Sequence, residues 1–383
     1  MIASRPLQPH AASPLRILSE RALAPAARPA AAAAGERTAL RPAAQPAGGR
    51  GALVDAFGRH LTYLRISVTD RCNLRCSYCL PEDAEFPRGD RDFLAPREIE
   101  TMVGALVRLG IRRLRLTGGE PLVRKDIVEI ARLLKALPGV ENLALSTNGT
   151  ELARLAGPLR QAGVDRVNVS LDSLDAERFR AITRRGDLAA VWRGIEAALA
   201  AGMAPVKLNA VLLSRQNLAD VDRLVALTLE RPLSVRFIEM MPTASNHHLQ
   251  AEEYVSSDLV RQRIEARFGP LMPVLDATGA GLPRTGPASR YRLPGAQGEV
   301  GFITPLSHTF CADCNRLRLT ARGELRLCLF ADRVYPLRHL LDDPTPGPAL
   351  ETEILRVLQE KPAEHMLGQG DYGNLVSFME IGG

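Results

Sequence analysis

The chain has 383 residues, 24% charged and 46% hydrophobic, an ordinary globular composition with length enough for more than one domain. Its formal net charge of +6 points to nucleic acid only until the charge is located: residues 1–50 hold seven Arg against Glu20 and Glu36, and the remaining 333 residues carry 42 basic against 41 acidic side chains. A near-neutral body with 4% aromatics argues against a nucleic-acid-binding face, and no run of about 18 apolar residues offers a membrane span.

Residues 1–50 contain sixteen Ala and seven Pro, including the run Ala30 to Ala34, with no periodic apolar face. They read as a disordered extension. The acid-poor, Arg-bearing start resembles an organelle transit peptide, but so many prolines oppose the amphipathic helix that such peptides form. With no compact apolar stretch for secretion, the expectation is a soluble cytoplasmic protein.

From about residue 61, strand-like and helix-like segments alternate. Leu61–Val68, Arg113–Thr117, Asn142–Ser146, Arg166–Ser170, Val206–Leu212 and Ser234–Glu239 read as short strands. Pro96–Leu109, Asp126–Ala136, Leu152–Ala162, Asp175–Ala201 and Asn217–Glu230 read as helices between them, with Gly110, Gly139, Gly163 and Gly202 as stops. Six βα units imply an α/β fold with a parallel sheet and right-handed crossovers. Six are too few for a closed eight-stranded barrel, so a partial TIM-like barrel is expected over residues 51–242. Residues 243–383 lose the rhythm: a helix at Ser257–Phe268, a Pro- and Gly-rich stretch at Gly269–Gly301, and a tail ending Ile381-Gly382-Gly383. This region is expected to close the open side of the barrel.

Alternation along the strands puts Arg65 with Ser67 on one face, then Arg113, Arg115 and Thr117, Asn168 and Ser170, Lys207 and Asn209. The opposite faces carry Leu64, Ile66, Leu114, Leu116, Val167, Val169, Val206 and Leu208, which suit packing under helices. Basic side chains inside a barrel are costly unless paired. As a set, with Arg236 on the sixth strand, they point to a bound phosphate-rich anion.

All six cysteines fall in two sets of three: Cys72, Cys76 and Cys79, and Cys311, Cys314 and Cys328. Structural zinc takes four Cys or His. Three thiolates can instead hold three corners of a four-iron cluster and leave one iron open. The first set, CxxxCxxC, follows the first strand, where parallel α/β folds place function. Thr117-Gly118-Gly119-Glu120-Pro121 follows the second. Its glycines allow close backbone approach to a ligand, and its proline fixes the turn.

CxxxCxxC with Tyr78 before the last cysteine, together with Gly118-Gly119-Glu120-Pro121, resembles the radical S-adenosylmethionine superfamily. The second triad, Phe237-Ile238-Glu239-Met240-Met241, Asn168-Val169-Ser170-Leu171-Asp172 and the terminal Gly382-Gly383 narrow the likeness to the GTP 3′,8-cyclase family of molybdenum cofactor biosynthesis, from about Arg65 to the last residue. The resemblance implies two [4Fe-4S] clusters, one on Cys72, Cys76 and Cys79 and one on Cys311, Cys314 and Cys328. It implies S-adenosylmethionine against Tyr78, Gly119, Ser170 and Met241. GTP would be held by Arg65, Arg115, Ser146, Lys207 and the segment Arg316-Leu317-Arg318, with Arg113 and Arg236 as further phosphate contacts. Ser146 stands where the family usually has Thr and keeps the hydroxyl. Gly382 and Gly383 would enter the active site and support catalysis. The implied partners are GTP, S-adenosylmethionine and an electron donor, without nucleic acid or membrane, and a homodimer is compatible with the likeness.

His308, three residues before Cys311, reads as a loop residue in preference to a fourth cluster ligand, and His247-His248 as a solvated loop pair. Two alternatives remain. A peptide-modifying radical S-adenosylmethionine enzyme with a second cluster usually needs more cysteines than these three, and a zinc-dependent RNA-binding module conflicts with the neutral body and the βα rhythm.

Overall fold

A computed structural model describes residues 53–84, 92–275, 286–367, 371, 373, 375 and 377–381. The alternating pattern appears as β1 (Tyr63–Ser67), α1 (Pro96–Arg108), β2 (Arg113–Thr117), α2 (Ile127–Ala136), β3 (Asn142–Thr147), α3 (Leu152–Gln161) and β4 (Arg166–Ser170). Then follow α4 (Ala176–Thr183), α5 (Leu188–Ala200), β5 (Lys207–Leu212), α6 (Val221–Glu230) and β6 (Ser234–Glu239). Local chemistry sets the helix starts. Glu98 reaches back to the Ala95 amide at 2.6 Å ahead of α1, Asp175 accepts from the Arg178 amide at 2.9 Å on α4, and Asp187 accepts from the Ala189 amide at 2.9 Å on α5.

The Asp175–Ala201 helix expected from periodicity is two helices. Arg184 at the break has φ +61°, and a Cβ on Gly186 would meet Thr183 Oγ1 at 2.4 Å. The break ends α4 at a place where its last carbonyls are put to use, as described below. A second correction concerns His247-His248, which begins α7 (His247–Glu253).

The C-terminal region contributes α8 (Ser257–Phe268), β7 (Met272–Pro273), β8 (Ser289–Arg292), β9 (Glu299–Ile303), β10 (Arg316–Leu319), β11 (Glu324–Arg326), β12 (Tyr335–Pro336) and α9 (Pro346–Leu358). Its strands extend the barrel sheet from both edges, in the order β12-β11-β10-β1-β2-β3-β4-β5-β6-β9-β8-β7. β10 joins parallel to β1 and β9 parallel to β6, so the parallel portion runs from β10 through β1–β6 to β9. The sheet is mixed and open, a partial barrel. Because β9 and β10 lie on opposite edges, residues 304–315 between them must cross the opening. That crossing carries Cys311 and Cys314.

The strand faces sort as alternation requires. Leu64, Ile66, Leu114, Leu116, Val167, Val169, Val206 and Leu208 are fully buried in the core between sheet and helices. Side chains of the opposite parity face the barrel interior. Among the described residues no helix is long and apolar enough to cross a membrane.

Candidate active site

The first cysteine loop leaves β1 and docks on the end of α4. The Arg75 amide donates to the Thr183 carbonyl at 3.1 Å and the Ser77 amide to the Ile182 carbonyl at 2.9 Å. These are last-turn carbonyls with no partner inside their own helix, and the loop supplies one. Arg184, just past the helix, donates from Nη1 to the Arg75 and Leu80 carbonyls at 3.2 and 2.9 Å. Arg75 itself is 6% exposed and donates to the carbonyls of Cys72, Leu74 and Ala84. The C-terminal segment closes the loop from the other side, with Ser377 Oγ donating to the Cys79 carbonyl at 2.9 Å. Burial pushes the Cys72 thiol up to about 12 and Cys79 up to about 11, and raises Cys76 well above its usual value. A metal that takes these thiols as thiolates displaces their protons.

Gly118 and Gly119 press against the backbone immediately before Cys72. A Cβ on Gly118 would meet the Thr69 carbonyl oxygen at 2.4 Å, and one on Gly119 the Arg71 carbonyl oxygen at 2.4 Å. The Gly119 amide donates to Thr69 O at 2.8 Å and the Glu120 amide to Arg71 O at 2.7 Å. The glycines therefore serve first to lock the two loops together, a role that ligand approach alone does not suggest. Glu120 is 1% exposed and accepts from the Leu122 amide, Thr147 Oγ1 and the Asn148 amide at 3.0, 2.7 and 2.6 Å. Burial outweighs these bonds and pushes its carboxyl up to about 7. With its carboxylate so occupied, any contact from this turn to a ligand falls to the backbone.

Beside Cys76 lies Asp172, 2% exposed, which accepts from the Val211 amide and Tyr78 Oη, both at 2.8 Å. Burial pushes it up to about 6. This hydrogen bond fixes the Tyr78 ring.

The interior face of the sheet forms a basic wall. Strand register brings Arg65 beside Arg115 on one side and Arg318 on the other, and Asn209 beside Arg236. Arg115 donates from Nε to Tyr63 Oη and from Nη1 to Ser146 Oγ at 3.2 Å. Burial, then the neighbouring guanidiniums, lower Arg65 well below its usual value and Arg236 and Arg318 to about 10. Lys207 is driven to about 6 by burial and by Arg236, Arg166, Arg115 and Arg290. Like charges this crowded need an anion among them.

The second triad sits on the crossing between β9 and β10 and just after β11. Arg59 donates from Nη1 to the Cys311 carbonyl at 2.9 Å and is itself paired with Asp55 at 2.6 Å. Lys361, 3% exposed, donates to the Arg316 carbonyl at 3.3 Å and to the Leu327 carbonyl. Burial raises the Cys314 thiol, but Arg316 and Lys361 more than offset it and leave it below its usual value, while burial raises Cys311.

One cavity of about 330 Å³ joins these parts. All six cysteines line it, as do Arg65, Arg115, Ser146, Arg236, Arg316 and Arg318, and also Tyr78, Gly119, Ser170 and Met241. Leu317 points the other way, is fully buried in the core and is not among the lining residues. Arg113 and Lys207 begin β2 and β5 and are not among the lining residues. Gly382 and Gly383 lie outside the described residues, although Phe378 and Met379 border the cavity. His308 is held by Asp258 at 2.9 Å on the exterior and is not a lining residue. Glu120, Asp172, Lys361 and His365 escaped sequence reasoning: Glu120 and Asp172 stand inside the quoted motifs, whereas Lys361 and His365 belong to none.

The donor sets suit iron–sulfur clusters. All six thiols are free and line the one cavity in two sets of three, one short of the four Cys or His that close a structural zinc site. Soft thiolates in threes, spaced around one cavity, fit the corners of two four-iron clusters, each with an open iron.

The sequence matches the model of the radical SAM superfamily over residues 66–228 and that named Molybdenum Cofactor Synthesis C over residues 233–367. Fold and site thus define a radical S-adenosylmethionine enzyme. The GTP 3′,8-cyclase of Pelotomaculum thermopropionicum is 46% identical over 318 residues, 82% of this chain and 96% of that protein. That of Ectopseudomonas mendocina is 45% identical over 334 residues, 86% of this chain and 98% of that protein. The chain belongs to the GTP 3′,8-cyclase family. Streptococcus suis SuiB bound to precursor peptide SuiA shares the fold, with TM-score 0.51, 15% identity and coverage of 80% of this chain and 66% of that chain.

Proposed function

We propose that the chain converts GTP to (8S)-3′,8-cyclo-7,8-dihydroguanosine 5′-triphosphate for molybdenum cofactor biosynthesis, with S-adenosylmethionine as cosubstrate. The observation that carries this reading is one cavity lined by both cysteine triads and by Arg65, Arg115, Arg236, Arg316 and Arg318. A cluster held by Cys72, Cys76 and Cys79 would supply the electron that cleaves S-adenosylmethionine to methionine and a 5′-deoxyadenosyl radical, and that radical takes hydrogen from C3′ of GTP. C3′ then bonds to C8 of the base, and the resulting base radical takes up one electron, drawn from the external donor, and one proton.

The chain's own work is placement and exclusion of water. Arg65, Arg115, Arg236, Arg316 and Arg318 hold the triphosphate, and Lys207 regains its proton when phosphate approaches. Tyr78, fixed by Asp172, together with Gly119, Ser170 and Met241, lines the S-adenosylmethionine end. The second triad faces the base. An external electron donor supplies reductant, and the enzyme works in the cytoplasm. Residues 51–242 form the S-adenosylmethionine-cleaving half and residues 243–383 the half that completes the substrate site.

The test is anaerobic reconstitution with iron and sulfide, followed by product analysis with GTP, S-adenosylmethionine and dithionite. The expected result is 5′-deoxyadenosine together with the cyclised nucleotide. S-adenosylmethionine consumed while GTP is unchanged overturns the substrate assignment.

A further inference from the structure

We propose that His365 reads the purine: its Nε2–H donates a hydrogen bond to an acceptor on the Hoogsteen edge of the base, N7 or O6. This rests on the reading of GTP as substrate and adds a base contact to it.

Several observations meet at this ring. His365 lines the cavity alongside Cys311, Cys314 and Cys328. Its ring stands edge-on to Phe330, with centroids 5.6 Å apart at 75°, which fixes its plane. The Leu367 amide donates to Nδ1 at 3.4 Å, so in the neutral ring the proton is on Nε2. Nε2 is buried and makes no hydrogen bond among the described residues. The Pro305 carbonyl borders the same ring without meeting the geometry of a hydrogen bond to Nε2. A donor left in this state costs stability unless a ligand accepts from it.

The tautomer also argues against His365 as a fourth cluster ligand. A metal at Nε2 requires the proton on Nδ1, and Nδ1 is already an acceptor. Guanine presents two acceptors, N7 and O6, on one edge, whereas adenine presents N7 and an amino donor. A single N–H donated to O6 selects guanine over adenine, whereas one donated to N7 accepts either purine, and the guanidinium wall at the phosphate end has no part in the choice.

The test is anaerobic calorimetric titration of the reconstituted full chain with GTP, 7-deaza-GTP and 2-aminopurine riboside triphosphate. His365→Phe keeps an aromatic ring against Phe330 and removes the donor; His365→Gln restores an N–H. The expected result is roughly tenfold weaker GTP binding for His365→Phe, substantially recovered in His365→Gln, with iron content unchanged. The analogue that lacks the contacted atom, 7-deaza-GTP for N7 or the 2-aminopurine nucleotide for O6, should bind both forms alike. Native-like affinity of His365→Phe for all three nucleotides overturns the contact alone. Loss of one cluster in His365→Phe also overturns it, by making the residue a ligand or a support of the cluster. A native protein that binds no GTP overturns the substrate reading with it.

Discussion

Replacing Gly119 with Ala tests how the two loops of the first site are joined. The new Cβ would stand 2.4 Å from the Arg71 carbonyl oxygen and 2.7 Å from that of Asp70, both backbone atoms that no rotamer change can move aside. Reaching ordinary contact near 3.4 Å requires the loops to part by about 1 Å. That stretches the 2.7 Å bond from the Glu120 amide to Arg71 O past hydrogen-bonding range and strains the 2.8 Å bond from the Gly119 amide to Thr69 O. Two bonds at about 1 kcal/mol each, with overpacking of about 1–3 kcal/mol, give a loss of about 3–5 kcal/mol. A 1 Å displacement beside Cys72 should also cost about 10²-fold in S-adenosylmethionine cleavage. Gly104→Ala is the control, because its Cβ would meet Arg108 Nη1 and Leu137 Cδ2 at 3.5 and 3.6 Å inside α1, ordinary contacts. Anaerobic denaturant titration and 5′-deoxyadenosine formation measure both effects. If Gly119→Ala is as stable and as active as Gly104→Ala, the locking role is refuted.

Three further outcomes follow from the same geometry. Lys207 sits near 6 without a ligand and should return toward its ordinary 10.5 beside phosphate, so GTP binding at pH 8 takes up a proton and affinity falls as pH rises between those values. Calorimetry in buffers of different ionisation enthalpy should show that uptake in the native protein and lose it in Lys207→Met. Lys361→Met leaves the Arg316 and Leu327 carbonyls without their buried donor, and should destabilise by about 1–3 kcal/mol and deplete the second cluster before the first, read by denaturation and iron analysis. His308→Ala removes only an exposed pair with Asp258 and should change stability by less than about 1 kcal/mol and leave both clusters in place, read by denaturation and iron analysis.

The parts of this molecule written in short-range pattern were legible in its sequence. Three of the six early strands, Arg113–Thr117, Arg166–Ser170 and Ser234–Glu239, have the bounds that alternation and turn residues indicate. Alternation also separated Arg65 and Arg115 from Leu64 and Leu114, because a strand leaves each side chain one of two faces. What escaped depends on partners distant in sequence. β9 and β10 are five and four residues long, and their local antiparallel partners are β8 and β11; they become barrel strands by pairing with the distant β6 and β1, which nothing local marks. The break between α4 and α5 falls at Thr183–Asp187, where no apolar residue carries the period on and Gly186-Asp187 is a readable stop and start, while its purpose, freeing the Ile182 and Thr183 carbonyls for the cysteine loop, lies about a hundred residues upstream. Lys361 and His365 look like ordinary residues of a C-terminal loop until the fold brings them to the second triad.

The central claim is that the adenosyl radical and the ribose of GTP meet in this one cavity. GTP deuterated at C3′, turned over anaerobically by the reconstituted protein, tests it most directly. The account predicts deuterium in the 5′-deoxyadenosine, with the cyclised nucleotide formed alongside. Unlabelled 5′-deoxyadenosine, with the deuterium still on intact GTP, would contradict it.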